Sequence, residues 1–318
     1  MTQADKSLVD AETVVKVIPV FWPQIQGHLN VYLIRGTKLA LVDTAAYGAN
    51  LKEALKEHGL SPQDITVVLN THGHPDHTGN NAFMKKEAGV PIWIHEKDAI
   101  CAEDHSRYYD EFHLSIFSAL MGTEQAREHK KVFLEFAGPD CLVDRHLHDA
   151  HTIDLGDIAV RVLGLPGHTL GSVGFWIEEE HLLITGDSTP GLGGPEGSLP
   201  VIADVTAYQA SLRRLLEEDI KVLHTTHPFR SLSSPPSTVR HGEEVKRFLS
   251  ESLEFAELLE ARLEAEVETV QREGILVAAD RVIGGLPPSL GFKPISQLLM
   301  PDMALATIVT NFRRLTSS

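Results

Sequence analysis

The sequence predicts an α+β fold that carries a helical insertion and ends in a small helical region. Three observations predict it. Short runs of β-branched and apolar residues, bounded by glycine and proline, recur along residues 1–238 and are typical of buried strands. Between about residues 98 and 140, apolar residues recur at helical spacing instead. From residue 239 to 318 a helical apolar stripe replaces the strand pattern.

Strands and helices alternate over the first hundred residues. The runs "TVVKVIPV", "LNVYLIRG" and "KLALVDTA" are predicted as strands. The segment "GANLKEALKEHGL" is predicted as a helix, because Leu51, Ala54 and Leu55 share one face and a glycine follows the last turn. "DITVVLN" then gives a strand, and "FMKKEAGVPIWIH" repeats the order of helix and strand.

The helical insertion at about residues 98–140 interrupts this alternation. Tyr109, Phe112, Ile116 and Leu120 recur at helical spacing, and "TEQAREHKKVFLEFAG" predicts a second helix. Strands return with "HTIDL", "IAVRVLGLP", "VGFWIEEE" and "HLLITGD". The Gly/Pro-rich loop at 190–200, the helix "TAYQASLRRLLEED" and the strand "IKVLHTTH" follow. We predict "IKVLHTTH" as the last strand and "FRSLSSPPSTV" as a linker.

The chain divides into two predicted domains, residues 1–238 and residues 239–318. The second is predicted as a small, mostly helical region, because a single apolar stripe runs along it. The stripe consists of Val245, Leu249, Ala256, Leu259, Leu263, Val267 and Val270.

The composition indicates a protein that acts on small molecules in a reducing compartment. The formal net charge of −16 disfavours nucleic acid and anionic membrane as partners, since both are bound largely through Lys and Arg. No apolar run of about 20 residues predicts a membrane span, and the N-terminus lacks the pattern of a secretory signal. Cys101 and Cys141 are expected to be reduced thiols. We therefore expect a cytoplasmic protein.

A cluster of ligand-type residues follows one predicted strand. "LNTHGHPDHTGNN" places His72, His74, Asp76 and His77 within six positions. Imidazole nitrogens and carboxylate oxygens suit zinc and neighbouring divalent metals. The alternation of His72 and His74 can direct two rings to one ion, and Asp76 and His77 can reach a second position. This loop predicts a metal centre.

Further candidate ligands lie at the ends of later strands. His168 follows "LGLPG", Asp187 ends "LLITGD", and His227 ends the strand "VLHTTH", with His224 as a weaker candidate. Strand ends that face one edge of a sheet converge in space, and open α/β sheets build their sites there. The cluster of His146, His148 and His151 is predicted as a surface strand rather than a third metal site.

In these motifs the chain resembles the metallo-β-lactamase superfamily. The His-x-His-x-Asp-His loop, a lone histidine, an aspartate and a final histidine occur in the family's order over roughly residues 14–235, and Asp43 in "LVDTA" fits its first motif. The resemblance implies an αβ/βα sandwich with metals in a groove at one edge. It also implies a homodimer, and a C-terminal region similar to the winged-helix-like domains of some members.

The resemblance also implies a ligand set for two divalent metal ions, with zinc first and manganese or iron as alternatives. One ion would be held by His72, His74 and His168, and the other by Asp76, His77 and His227. Asp187 would bridge the two ions, and Asp43 would orient the histidine loop by hydrogen bonding.

Hydrolysis is the reaction that this ligand set implies. A hydroxide bridging two ions is a nucleophile at neutral pH, and Asp76 would be the catalytic residue that assists the leaving group. Asp187 stands where most true β-lactamases have Cys or Ser, which disfavours antibiotic cleavage, and His74 stands where flavodiiron reductases have Glu. We predict cleavage of a thioester, lactone or ester. Pro190 stands where many acyl-homoserine lactonases have Tyr, and the glutathione-binding residues of glyoxalase II are not matched.

Besides a metal-stabilised binding module without turnover, which the complete ligand set disfavours, two other functions remain open. One is a metal-dependent endoribonuclease or phosphodiesterase of the winged-helix-bearing branch, which the acidic charge disfavours. The other is a mononuclear-iron sulfur dioxygenase, which resembles the hydrolases in the histidine loop.

Candidate substrate-binding residues come from two segments. Tyr108, Tyr109, Phe112 and His113 lie on the predicted insertion helix, and Trp22 lies on a predicted loop between the first two strands. Aromatic walls suit an acyl or ring-bearing small-molecule substrate, while packing in the core is the alternative for each of them.

Overall fold

Two six-stranded sheets face each other, and helices cover their outer faces. The computed structural model describes residues 13–194, 197–298 and 301–316. The first sheet has the order β1-β2-β3-β4-β5-β6. Its strands are Val15–Trp22 (β1), Gly27–Arg35 (β2), Leu39–Val42 (β3), Val67–Leu69 (β4), Ile92–His95 (β5) and Arg145–Leu147 (β6). β1, β2 and β3 pair antiparallel, whereas β3 to β6 pair parallel.

The second sheet is built from the later half of the chain and has the order β12-β11-β10-β9-β8-β7. Its strands are Thr152–Asp154 (β7), Ala159–Gly164 (β8), Val173–Ile177 (β9), Leu182–Gly186 (β10), Val222–Phe229 (β11) and Ser237–His241 (β12). Only β10 and β11 pair parallel, and the other neighbours are antiparallel.

Twelve α-helices are assigned within the described residues. In the first half they are Leu51–Glu57 (α1), Pro75–Thr78 (α2), Asn81–Ala88 (α3), Ala99–Glu103 (α4), His105–Tyr108 (α5), Leu114–Met121 (α6) and Thr123–Ala137 (α7), with a π-helical turn at Tyr109–His113. In the second half they are Val205–Glu217 (α8), Glu243–Ala265 (α9), Val267–Glu273 (α10), Ile275–Gly284 (α11) and Pro301–Thr316 (α12).

The hydrophobic core forms layers, because successive residues of a strand point to opposite faces of its sheet. On β2, Tyr32 and Ile34 face the space between the sheets, while Val31 and Leu33 face α1 and α3. The layer between the sheets is joined by a hydrogen bond in which Tyr32 Oη donates to the carbonyl of Thr225 on β11, at 2.6 Å. The predicted αβ/βα sandwich is confirmed, and so is its helical insertion.

The C-terminal helices extend the core of the second sheet. Buried side chains of α9, α11 and α12 join one continuous cluster with Leu183 of β10 and Leu212 of α8. Val245, Leu249 and Leu259 of the predicted stripe are buried in this cluster. The described residues from 243 onward contain helices and no strand, so the winged-helix likeness stays a prediction, as does the boundary at 238/239.

Two predictions at strand ends are wrong. "IKVLHTTH" is not the last strand, because β12 forms within and just after the segment predicted as a linker, where Val239 and His241 pair with β11. Trp22 is not on a loop. It ends β1 opposite Gly27, and its buried ring lies 5.7 Å from that of Phe136 on α7.

Other expectations agree with the described residues. The Gly/Pro-rich loop at 190–200 contains no helix or strand in its described part, while Pro195 and Glu196 lie outside the described residues. Cys101 and Cys141 are buried and free. Among the described residues, no single helix combines the length and apolar character needed to cross a bilayer; one pair bent by 93°, Ile275–Gly284 with Pro288–Gln297, reaches them only jointly.

Candidate metal centre

The loop after β4 places the first four candidate ligands. His74 precedes the short helix α2, and Pro75 occupies its first position, where the missing N–H costs nothing. This helix start turns Asp76 and His77 back toward the strand end. Glycine is required at position 73, since a Cβ there would lie 2.8 Å from Cys101 Sγ and 2.9 Å from the carbonyl of Asp98.

Three histidines converge at the edge of the sandwich. His168 Nε2 lies 3.2 Å from His72 Nε2 and 2.9 Å from His74 Nδ1, and the latter two atoms lie 3.1 Å apart. A tetrahedral ion with metal–nitrogen bonds of about 2.0–2.1 Å holds its ligand nitrogens about 3.3–3.4 Å apart. The observed triangle is within a few tenths of an ångström of that geometry.

The opposite ring nitrogens show why the triangle fits a cation. His168 Nδ1 donates to the carbonyl of Val201 at 2.7 Å, and His72 Nδ1 donates to Thr71 Oγ1 at 3.0 Å. Both rings therefore carry their proton on Nδ1, and their Nε2 lone pairs face each other in a buried space. The single Nδ1–H that His74 could offer would satisfy only one of these lone pairs, whereas a cation satisfies both.

Asp76, His77 and His227 form a second group whose ligand atoms lie within 4.8 Å of one another. His227 Nε2 lies 3.3 Å from Asp76 Oδ2. His77 Nε2 is buried without a hydrogen-bond partner and lies 3.8 Å from Asp76 Oδ2. A buried nitrogen with no partner is costly unless an ion takes its lone pair.

Asp187 connects the two groups. Its Oδ2 lies 3.5 Å from His77 Nε2 and 2.8 Å from His227 Nδ1. Asp187 also forms a candidate ligand set with His72 and His77. The structure thus brings together all seven sequence-predicted ligands, and their chemistry and spacing fit two divalent ions.

Asp43 orients the histidine loop through both of its oxygens. Oδ2 accepts from His77 Nδ1 at 2.9 Å and from Thr71 Oγ1 at 2.8 Å, and Oδ1 accepts from Thr71 N at 2.8 Å. Because Thr71 in turn accepts from His72, one carboxylate fixes the tautomer of a histidine in each group. Asp43 takes a left-handed φ of 61°, which places its side chain against the loop.

Asp98 is a supporting residue that the sequence analysis missed. Its Oδ2 accepts from Gly73 N at 2.9 Å and from Thr169 Oγ1 at 2.6 Å, and its Oδ1 accepts from Gly171 N at 2.9 Å. One buried carboxylate therefore ties the loop of His72 and His74 to the loop of His168. Its position shortly after β5, the parallel neighbour of β4, was the available signal.

Electrostatics separate the two groups of histidines. Burial, reinforced by neighbouring histidines, holds the pKa of His72 and His74 well below its usual range, and burial lowers that of His168. Burial has the same tendency at His227, but Asp187 and Asp76 together outweigh it and raise the pKa of His227 to about 10. The three-histidine triangle is therefore neutral and ready for a cation at neutral pH.

The carboxylates of the centre are held ionised. Burial opposes ionisation of Asp187, yet His227 and His77 outweigh it and hold the pKa of the carboxyl well below its usual range. At Asp76 burial is likewise outweighed by His77 and His227, which lower its pKa. The centre thus combines two ionised carboxylates, Asp76 and Asp187, with the three neutral histidines of the triangle.

The predicted substrate residues of the insertion divide into buried and exposed ones. Tyr109 is fully buried and its Oη donates to the carbonyl of Ala126 at 2.6 Å, so it packs in the insertion's own core. Tyr108 is buried in the same cluster, whereas Phe112 is exposed. His113 has a buried Nε2 without a hydrogen-bond partner, and its ring lies 4.9 Å from that of Tyr108.

The remaining histidine candidates stay apart from the centre. His224 packs its ring 5.1 Å from that of Tyr32 and belongs to none of the candidate ligand groups. Within the described residues, His146, His148 and His151 also form no such group; the rings of the latter two are 5.0 Å apart.

A two-sheet sandwich with a histidine and aspartate centre at one edge defines a class of metal-dependent hydrolases. The family model described as "Metallo-beta-lactamase superfamily" matches residues 26–227. The chain belongs to this superfamily, as its motifs predicted.

Relatives in sequence share parts of the chain. Lactamase-like protein adaB of Aspergillus niger is 27% identical over 286 residues, covering 88% of this chain and 74% of that protein. Hydroxyacylglutathione hydrolase GloC of Haemophilus influenzae is 28% identical over 149 residues, covering 46% of this chain and 59% of that protein. A Mycobacterium leprae protein is 31% identical over 155 residues, with 48% and 63% covered. The chain thus spans less than two thirds of the last two relatives.

Solved structures share the fold over nearly the whole chain. A metallo-beta-lactamase family protein from Thermus thermophilus superposes with a TM-score of 0.65 at 24% identity, covering 96% of this chain and 93% of that one. A beta-lactamase domain protein from Burkholderia ambifaria gives 0.60 at 17% identity, with 97% and 88% covered. The C-terminal helices fall within this coverage.

Proposed function

We propose that this protein uses two divalent metal ions, with zinc as the first candidate, to hydrolyse an ester-like bond of a small organic substrate. The bond is a thioester, a lactone or an ester. The observation that carries the proposal is the convergence of seven ligand side chains into two groups joined by Asp187. Ions held there would lower the pKa of water to about 7 and polarise a carbonyl oxygen.

The side chains of the centre divide the remaining work. Asp76 is ionised and about a quarter exposed, with Oδ2 at 3.3 Å from His227 Nε2. It can accept a proton from water and return it to the leaving group. Asp43 and Asp98 keep the ligand rings in place, so that little reorganisation is needed during the reaction.

Three features support an ester-like substrate. The relative GloC is named a hydroxyacylglutathione hydrolase, and acylated glutathione contains a thioester. Exposed apolar side chains follow the ligands closely, with Leu170 two positions after His168 and Leu232 five positions after His227. The net charge of −16 disfavours polyanionic substrates such as RNA.

The test combines metal analysis with a substrate panel. The purified protein is assayed for bound metal and for hydrolysis of thioesters, lactones, simple esters, phosphodiesters and RNA. We expect about two equivalents of metal and turnover confined to the carboxylic esters and thioesters. Asp187→Ala should lower kcat at least 100-fold, as expected when a ligand of the reacting centre is lost. Asp219→Ala is the control, since this carboxylate pairs with Lys221 on the surface.

Two results would contradict the proposal. Turnover confined to phosphodiesters or RNA would overturn the substrate class and favour the nuclease alternative. Unchanged turnover in Asp187→Ala would overturn the centre itself.

A further inference from the structure

Two polar residues of the last helix are buried against an irregular loop. Thr307 and Asn311 lie four positions apart on α12, hence on one face, and both are fully buried. Thr307 Oγ1 donates to the carbonyl of Pro200 at 2.6 Å and accepts from Ile202 N at 2.9 Å. Asn311 Nδ2 donates to the carbonyl of Ile202 at 2.8 Å, and its Oδ1 accepts from Val205 N at 2.9 Å.

The same loop orients a candidate metal ligand. The carbonyl of Val201 accepts from His168 Nδ1 at 2.7 Å, which leaves His168 Nε2 free to face His72 and His74. Ala203 N donates to the carbonyl of His168 at 3.4 Å, so the loop contacts both the ring and the backbone of this ligand.

The loop around Val201 has no helical or strand hydrogen bonds of its own that would fix its position. Residues 200–204 belong to no helix or strand, and both backbone polar groups of Ile202 are satisfied by α12. Buried backbone groups need partners, so an irregular buried loop takes the shape that its partners impose. Val201 lies between the two residues that Thr307 holds, Pro200 and Ile202.

We propose that Thr307 and Asn311 are positioning residues that hold the ring of His168 in place through the loop at residues 200–205. The inference rests on the metal centre of the proposed function. It gives the C-terminal helical region a role in the centre, because its last helix determines where the carbonyl of Val201 lies. A metal bond requires its ligand atom to be placed within about 0.2 Å, so the loss of such an outer contact should lower the metal affinity measurably.

The experiment compares three variants at threonines of α12. Thr307→Val keeps the shape and removes both hydrogen bonds to the loop, whereas Thr307→Ser keeps the hydroxyl. Thr310→Val is the matched control, since Thr310 Oγ1 bonds only within the helix, to the carbonyls of Ala306 and Thr307. Asn311→Ser removes the amide contacts independently, so that the test does not depend on one variant folding.

The readout is metal affinity rather than turnover. Metal-free proteins are titrated with Co²⁺ and Zn²⁺, and the two binding steps are resolved by calorimetry and by the visible spectrum of the cobalt form. We expect Thr307→Val and Asn311→Ser to weaken one of the two steps about 10- to 100-fold, as loss of an outer partner does. The other step, and both steps in Thr307→Ser and Thr310→Val, should change less than threefold.

A purely structural role gives a different pattern. It would lower the melting temperature of the metal-free variants and weaken both steps equally, and this outcome would overturn the proposal. Wild-type affinities in Thr307→Val and Asn311→Ser would overturn it as well. If wild-type protein bound neither ion, the proposed function would fail instead, so the two failures are distinguishable.

Discussion

Replacing Asp98 with alanine tests how the two ligand loops are held together. The change leaves the N–H groups of Gly73 and Gly171 without their acceptor in a buried site, at a cost of about 1–3 kcal/mol each. Thr169 adds little, because its hydroxyl retains Ser172 Oγ at 2.8 Å. Burial raises the pKa of Asp98, so removing its charge returns part of that cost. We expect a net loss of about 2–4 kcal/mol in the free energy of unfolding.

The assay separates folding from metal binding. The free energy of unfolding of Asp98→Ala is measured by denaturant titration with chelator and with saturating zinc. The increase in the free energy of unfolding that zinc produces should be smaller than in wild type by about 1.4–2.7 kcal/mol, which corresponds to a 10- to 100-fold loss of zinc affinity. Asp144→Ala is the control, because Asp144 accepts from Ile92 N and pairs with Lys85 away from the centre. If zinc stabilised Asp98→Ala as much as wild type, the assignment of Asp98 as a supporting residue of the centre would be refuted.

Three further changes have expected outcomes. Gly186→Ala places a Cβ 2.6 Å from the Cβ of Thr71 at a φ of 54°, so the metal content of the purified protein should fall several-fold. Gly89→Ala is the control, because its φ of 64° is similar but the space around it is open, and it should retain its metal. Equal metal content in the two variants would contradict the role of Thr71. Burial, and to a lesser extent His241, lowers the pKa of His224 to about 4. The stability that the neutral ring contributes is therefore fully present above the unfolded pKa of about 6.5, and it is lost as the pH falls toward 4. The stability of chelated His224→Gln should therefore fall less between pH 7 and 5 than that of wild type, by at most about 2 kcal/mol, and parallel curves would contradict this. Chelation should lower the melting temperature of wild type, because the lone pairs of the triangle lose their partner; a calorimetric scan with and without EDTA checks it.

The candidate ligands were predictable from the sequence because they lie at or just after the ends of strands. His72 comes shortly after β4, Asp187 directly follows β10, and His227 lies within β11. A strand pattern gives the direction of the chain, and strand ends at one edge of a sheet converge. Asp43 was identified for the same reason, one position after β3.

The supports of the centre were less predictable. The bonds of Asp98 to Gly73 and Gly171 join segments that are 25 and 73 positions away in sequence, and no local pattern marks such contacts. β12 was missed because it lies at a sheet edge, where one partner strand suffices and the surrounding serines and prolines resemble a linker. The helical stripe of α9 was visible in the sequence, but the surface that it covers was not.

The candidate ligands are divided between the two sheets of the sandwich. The first sheet and its loops supply His72, His74, Asp76 and His77, and the second supplies His168, Asp187 and His227. Neither half of the chain carries a complete set for both ions. We therefore expect binding of both metal ions to require that the two halves of the chain have packed together correctly. A chain cut in the turn before β7 should bind both ions only when its two fragments are refolded together.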